Sequence, residues 1–126
     1  MMGKTSELRK LIRDKLQTTA GGTYHKTAPK DAEYPYKTFT LASVAFPDSL
    51  RDDLELEVDI WDRSIDSKAS EEIADHIEAL LNDANLPQAP LFPTFFRENR
   101  YTLEDPDKTL QHIQLRFMVQ LYEQED

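Results

Sequence analysis

Glu55, Glu57 and Asp59 stand two apart in the run LELEVDIW, with Asp62 and Asp66 just beyond. On a strand that spacing turns three carboxylates to one face. Aligned carboxylates are the ligand type with which a metal-dependent nuclease holds its cation. The chemistry stops there, because the run contains neither lysine nor histidine. The same acids are explained as the wet face of a half-buried strand, paired with Arg97, Arg100 or Arg116 across the sheet or across a subunit boundary. Other chemistries find less. The glycines stand at 3, 21 and 22 only, so no loop can cradle a phosphate. The absence of cysteine removes a thiol nucleophile, a disulfide framework and a Cys-ligated zinc. Ser43, Ser49, Ser64, Ser67 and Ser70 lack the glycines of a nucleophile elbow. His25, His76 and His112 fall on separate elements without metal-ligand spacing. The residues point to no metal, no cofactor and no catalytic centre.

The element that positions the three acids is a strand whose other face is Leu54, Leu56, Val58 and Ile60, a strict period of two. Trp61 breaks the alternation and goes either to the acidic side or to the strand end, as a lid on the core edge or an anchor in an interface. A helix follows, with Ile73, Ala74, Ile77, Leu80, Leu81 and Ala84 on one stripe. Ser67 or Ser70 is placed to cap it, with Glu71 and Glu72 where the helix dipole favours negative charge. Its stripe is expected to lie on the Leu54–Ile60 face.

Upstream, Leu8, Leu11, Ile12 and Leu16 predict a helix from Thr5, capped by Thr5 or Ser6 and ended by Gly21. A short strand at 23–26 and a flexible, Pro-containing loop at about 27–35 come next. Residues 36–46 read as a strand with Phe39, Leu41 and Ser43 on one face, and Pro47-Asp48-Ser49 as the turn of a hairpin with the Leu54 strand. Pro87 and Pro90 break the second helix. Residues 91–103 then form a strand whose adjacent pairs Leu91-Phe92 and Phe95-Phe96 must point to opposite faces. One side packs under helices, and the other is an aromatic patch suited to a subunit contact; the alternative is a loop whose phenylalanines all tuck into one core. A turn at 104–109 leads to a strand at 110–122, where Ile113, Leu115, Phe117, Val119 and Leu121 alternate without a miss. The expected fold is α+β: an antiparallel or mixed sheet of four to five strands with two helices on one face.

A chain of 126 residues with 24 acids, 15 bases and a net charge of −9 makes one domain, residues 1–126, with an acidic tail at about 123–126. That charge disfavours tight binding to a phosphate backbone or an anionic membrane surface. No run approaches the length of a membrane span.

The order helix, short strand, loop, strand, strand, helix, strand, strand resembles the tail-completion or tail-terminator proteins of long-tailed bacteriophages and prophages. The matching pieces are LRKLIRDKL, the Thr23-Tyr24 strand, YPY at 34–36, LEVDIWDR leading into EEIADHIEALLN, and the hairpin FFRENRYTLEDPDKTLQHIQLRFMVQLYE. The resemblance implies a non-enzymatic, cofactor-free protein that assembles with itself into a ring, typically a hexamer. The ring would sit at the head-proximal end of the virion tail after assembly in the bacterial cytoplasm. It would stop growth of the tail-tube protein and meet head-completion or connector proteins, with DNA only passing through its lumen and no membrane involved. The residues themselves mark Glu55, Glu57, Asp59, Trp61, Phe92, Phe95, Phe96, Arg97, Arg100 and Arg116 as candidate subunit or partner contacts. Two other functions are expected to compete: a small acidic adaptor or inhibitor of a basic host protein, and a metal-dependent hydrolase built on Glu57 and Asp59.

Overall fold

The computed structural model describes residues 4–48, 51–82 and 91–123. Two helices and five strands follow in the order α1 (Lys4–Leu16), β1 (Gly22–His25), β2 (Tyr36–Asp48), β3 (Arg51–Arg63), α2 (Lys68–Leu81), β4 (Leu91–Leu103) and β5 (Leu110–Glu123). They make one sheet of order β1-β2-β3-β5-β4. Only the β1–β2 pair is parallel, so the sheet is mixed and the fold α+β.

Both helices cover the same face. The stripe of α2 (Ile73, Ala74, Ile77, Leu81) and that of α1 (Leu8, Ile12, Leu16) join Leu54, Leu56, Val58 and Ile60 of β3 and Ile113 to Leu121 of β5 in one core. Strict alternation in β3 and β5 delivers this, because each apolar residue of one strand lies opposite an apolar residue of the other: Leu56↔Phe117, Val58↔Leu115, Ile60↔Ile113.

Three boundaries differ from the sequence reading, each for a local reason. Helix α1 begins at Lys4, which puts Thr5 and Ser6 inside it. It ends at Leu16, where the Thr18 and Thr19 hydroxyls donate to the Lys15 and Leu16 carbonyls at 2.6 and 2.7 Å. Gly21 lies beyond that end and serves the next element. Its φ is +87°, and a Cβ there would collide with the Pro35 carbonyl oxygen. Glycine is what lets β1 come in beside β2. Strand β2 runs on through Pro47 and Asp48 instead of turning there. Its ladder slips between Ser43 and Ala45 and again before Asp48, leaving Pro47 outside the pairing, where a residue without an N–H is tolerated. At the start of α2, Ser67 holds the N-cap position, yet its hydroxyl accepts nothing from the helix and donates to Glu71 Oε1 at 3.0 Å. Ser70 is buried inside the helix. Ala84, the prolines at 87 and 90, the 49–50 connection and the tail at 124–126 lie outside the described residues.

Candidate functional site

The sheet face turned away from the helices is laid out in rows, because the β2–β3, β3–β5 and β5–β4 registers bring side chains of four strands side by side. One end row is Tyr36, Trp61, His112 and Leu103. The next is Thr38, Asp59, Gln114 and Tyr101. Then come Thr40, Glu57, Arg116 and Asn99, followed by Ala42, Glu55, Met118 and Phe96. At the far end Arg51, Tyr122 and Phe92 line up. The face is therefore banded, with an aromatic end, a charged centre and an aromatic corner.

The aromatic end is a set of stacked rings joined to polar partners. The Trp61 indole stacks on the His112 imidazole with centroids 3.6 Å apart and 16° between planes. His112 Nε2 lies 2.7 Å from Asp59 Oδ1, which also accepts Gln114 Nε2 at 3.1 Å. Tyr34 packs at 5.2 Å on Tyr36, and the Arg63 guanidinium sits 5.2 Å over the Tyr34 ring. Trp61 thus points to the acidic side of its strand, where His112, itself bonded to Asp59, stacks on it.

The charged centre is already neutralised in part. Arg116 reaches Glu57 at 3.2 Å and Glu55 at 3.6 Å. The Glu57 carboxyl is nevertheless pushed up, chiefly by burial and then by the Asp59 charge beside it, with Arg116 acting in the other direction. Among the described residues no three His, Asp or Glu side chains gather as a metal centre would require. The carboxylates that suggested a nuclease are engaged with Arg116, His112 and Gln114 instead.

The aromatic corner is open. Phe96 keeps 37% of its surface exposed and Tyr122 41%, beside half-buried Phe92 and Met118. Tyr101 and Leu103, on the far side of Asn99 along β4, are exposed toward the other aromatic end, at 45% and 37%.

Of the ten residues marked from the sequence, Glu55, Glu57, Asp59, Trp61, Phe92, Phe96 and Arg116 share this face. Phe95 does not: it is fully buried under the helices, which is the two-sidedness of β4 that the Phe95-Phe96 pair implied. Arg97 and Arg100 do not either. A bulge between Arg97 and Asn99 inserts Glu98, so Arg97 lies opposite Phe117 and Arg100 opposite Leu115, both on the helix side. There Arg97 pairs with Glu78, and Arg100 with Asp75 at 2.7 Å and Glu78 at 2.8 Å, tying β4 to α2. Sequence reasoning did not mark His112, Gln114, Tyr36, Tyr101, Leu103 or Tyr122 as candidate contacts. The alternation of β5 shows that His112, Gln114 and Arg116 share a side, but only the β3–β5 register shows what they meet.

Residues 6–122 match the family described as Tail completion protein gp17, a span that begins in α1 and ends at the close of β5. Among solved structures, a chain of one titled "Virion of native gene transfer agent (GTA) particle" superposes with a TM-score of 0.66 at 13% identity, over 94% of this chain and 90% of that one. At that identity the likeness is one of fold. No curated protein matches the chain.

Proposed function

The chain belongs to the tail completion protein gp17 family, which makes it a structural protein of phage tails and a virion component, and from that premise we propose that it is the tail's terminator. In this reading six copies form a ring at the head-proximal end of the tail, assembled in the host cytoplasm. The ring stops growth of the tail-tube protein and offers the surface on which head-completion or connector proteins join tail to capsid. DNA passes through the lumen without adhering, in keeping with a net charge of −9. The protein performs no reaction and holds no cofactor.

The observation that carries the step from tail component to assembling ring is the uncovered aromatic corner of the outer face, Phe92, Phe96 and Tyr122. Exposed aromatic surface of this kind is characteristic of protein contacts. The charged rows beside it (Glu55, Glu57, Asp59 and Arg116) supply the polar surround such contacts use. The occurrence of the same fold in a chain of a gene transfer agent virion supports a place within an assembly.

The test combines the full chain with tail-tube protein and follows mass by light scattering and tube length by electron microscopy. Rings near six times the 14.6 kDa chain mass, and tubes that stop growing in their presence, are expected. Phe96→Glu keeps the fold and loses tube binding. A chain that stays monomeric with and without tubes, and leaves tube length unchanged, refutes the reading.

A further inference from the structure

The helix layer carries its charge unevenly. Helix α1 has Lys4, Arg9, Lys10, Arg13 and Lys15 against Glu7 and Asp14, a net of +3. Helix α2 has Lys68 against Glu71, Glu72, Asp75 and Glu78, a net of −3. In a chain of net −9, α1 is the most cationic of the helices and strands.

Its bases gather at one place. Arg9, Lys10 and Arg13 line an open hollow of about 360 Å³ with Ser6, His25 and Phe39, and among the described residues no acid stands in its wall. Among the described residues Arg9 meets neutral groups there: it donates to Ser6 Oγ at 3.2 Å and lies 3.4 Å from His25 Nδ1. Lys10 and Arg13 are exposed and form no ion pair among the described residues. His25 is held below the ordinary imidazole range by burial and by Arg9, Lys26 and Arg13 around it, as expected of a positive field that no anion answers. On α2, Glu78 and Asp75 are taken up by Arg97 and Arg100. Glu72 is exposed and without an ion pair among the described residues, and Glu71 accepts only the Ser67 hydroxyl.

We propose that the cationic flank of α1 in one copy docks on the acidic start of α2 in the next copy, head to tail. This deepens the ring reading and rests on it. The two patches lie on different helices, so a contact between them uses two different surfaces of each copy, the head-to-tail kind of contact from which cyclic rings are built when the rotation closes. A two-fold contact of α1 with α1, or of α2 with α2, would set like charges together. Between copies that repel one another overall, the exposed Lys10 and Arg13 of one copy facing the exposed Glu71 and Glu72 of the next select which surfaces meet.

The test uses the full chain under conditions where the unaltered protein assembles, alone or on tail tubes, with sedimentation as the readout and circular dichroism to confirm folding. The substituted positions are exposed. Lys10→Glu with Arg13→Glu, and separately Glu71→Lys with Glu72→Lys, are each expected to weaken self-association at least about tenfold. Mixing the two variants, or combining all four changes in one chain, restores it, because the charges again oppose. Association of the unaltered chain weakens as salt rises. If rings form undiminished in both variants, the docking is wrong and the ring reading stands. If the α1 variant loses binding to tube or connector protein while its rings persist, the hollow belongs to another tail protein and the proposal is overturned. If the unaltered chain never assembles, the ring reading falls and the docking falls with it.

Discussion

Lys37→Met isolates the burial of one charge. Lys37 sits on the helix side of β2 with no exposed surface, and its Nζ donates to the Ala20 and Gly21 carbonyls, both at 2.9 Å. It thereby ties the α1–β1 connection down onto the sheet and sets where α1 lies. Burial lowers its pKa from the ordinary 10.5 to about 8. Below pH 8 the ammonium is charged in both the folded and the unfolded chain, and the folded chain bears the full penalty of burying it. Between pH 8 and 10.5 the unfolded chain keeps a proton that the folded chain has released, so stability rises with pH. The gap corresponds to about 3 kcal/mol at pH 7, of which roughly 2 kcal/mol is relieved by pH 10. Urea unfolding of the wild type and Lys37→Met at pH 7, 8, 9 and 10 reads it directly, since subtraction cancels the groups the two chains share. The difference is expected to move in favour of the wild type by about 2 kcal/mol over that range. At pH 7 it should start near zero, because methionine removes the charge burial but also two charge-assisted hydrogen bonds. A difference that stays flat with pH, or moves the other way, refutes the reasoning.

Phe95→Ala should destabilise the chain by about 3 to 5 kcal/mol, whereas its neighbour Phe96→Ala should change stability by less than about 1 kcal/mol and act on assembly instead; chemical denaturation of the pair measures both. Gly21→Ala, at φ +87° and facing the Pro35 carbonyl, should lower stability by more than about 1 kcal/mol and reduce amide protection in β1 by hydrogen exchange. The Thr109 hydroxyl, the Arg63 guanidinium and the Thr109 amide hold the Asp107 carboxyl at about 2. Its contribution is present above the ordinary carboxylate range and lost as pH falls toward 2. The stability advantage of the wild type over Asp107→Asn should therefore shrink between pH 4 and pH 2 in thermal unfolding; an advantage that does not change with pH would overturn this.

The elements and their inward faces were legible in the chain because both are local. A backbone with period two or 3.6 sorts side chains to faces without reference to the rest of the molecule. Leu54 to Ile60, Ile113 to Leu121 and the α2 stripe therefore identified the core, and the Phe95-Phe96 pair showed that β4 has two apolar sides. The ends of elements were less legible. Gly21 looks like a helix stop in sequence, but α1 is closed by two threonine hydroxyls, and the glycine answers to a carbonyl fourteen residues away in the chain.

The sequence carries the class of the fold, the buried half of each strand and the acidic balance of the chain. The tertiary structure decided which strands are neighbours and in what register, and with that the composition of the outer face. β3 lies beside β5 and not β4, so Trp61 meets His112, Asp59 meets His112 and Gln114, and Arg116 meets Glu55 and Glu57. One extra residue at Glu98 sends Arg97 and Arg100, three apart and so bound for opposite faces of a regular strand, together to the helix side. Strand order and bulges arise from contacts between segments distant in the chain, and no local period encodes them.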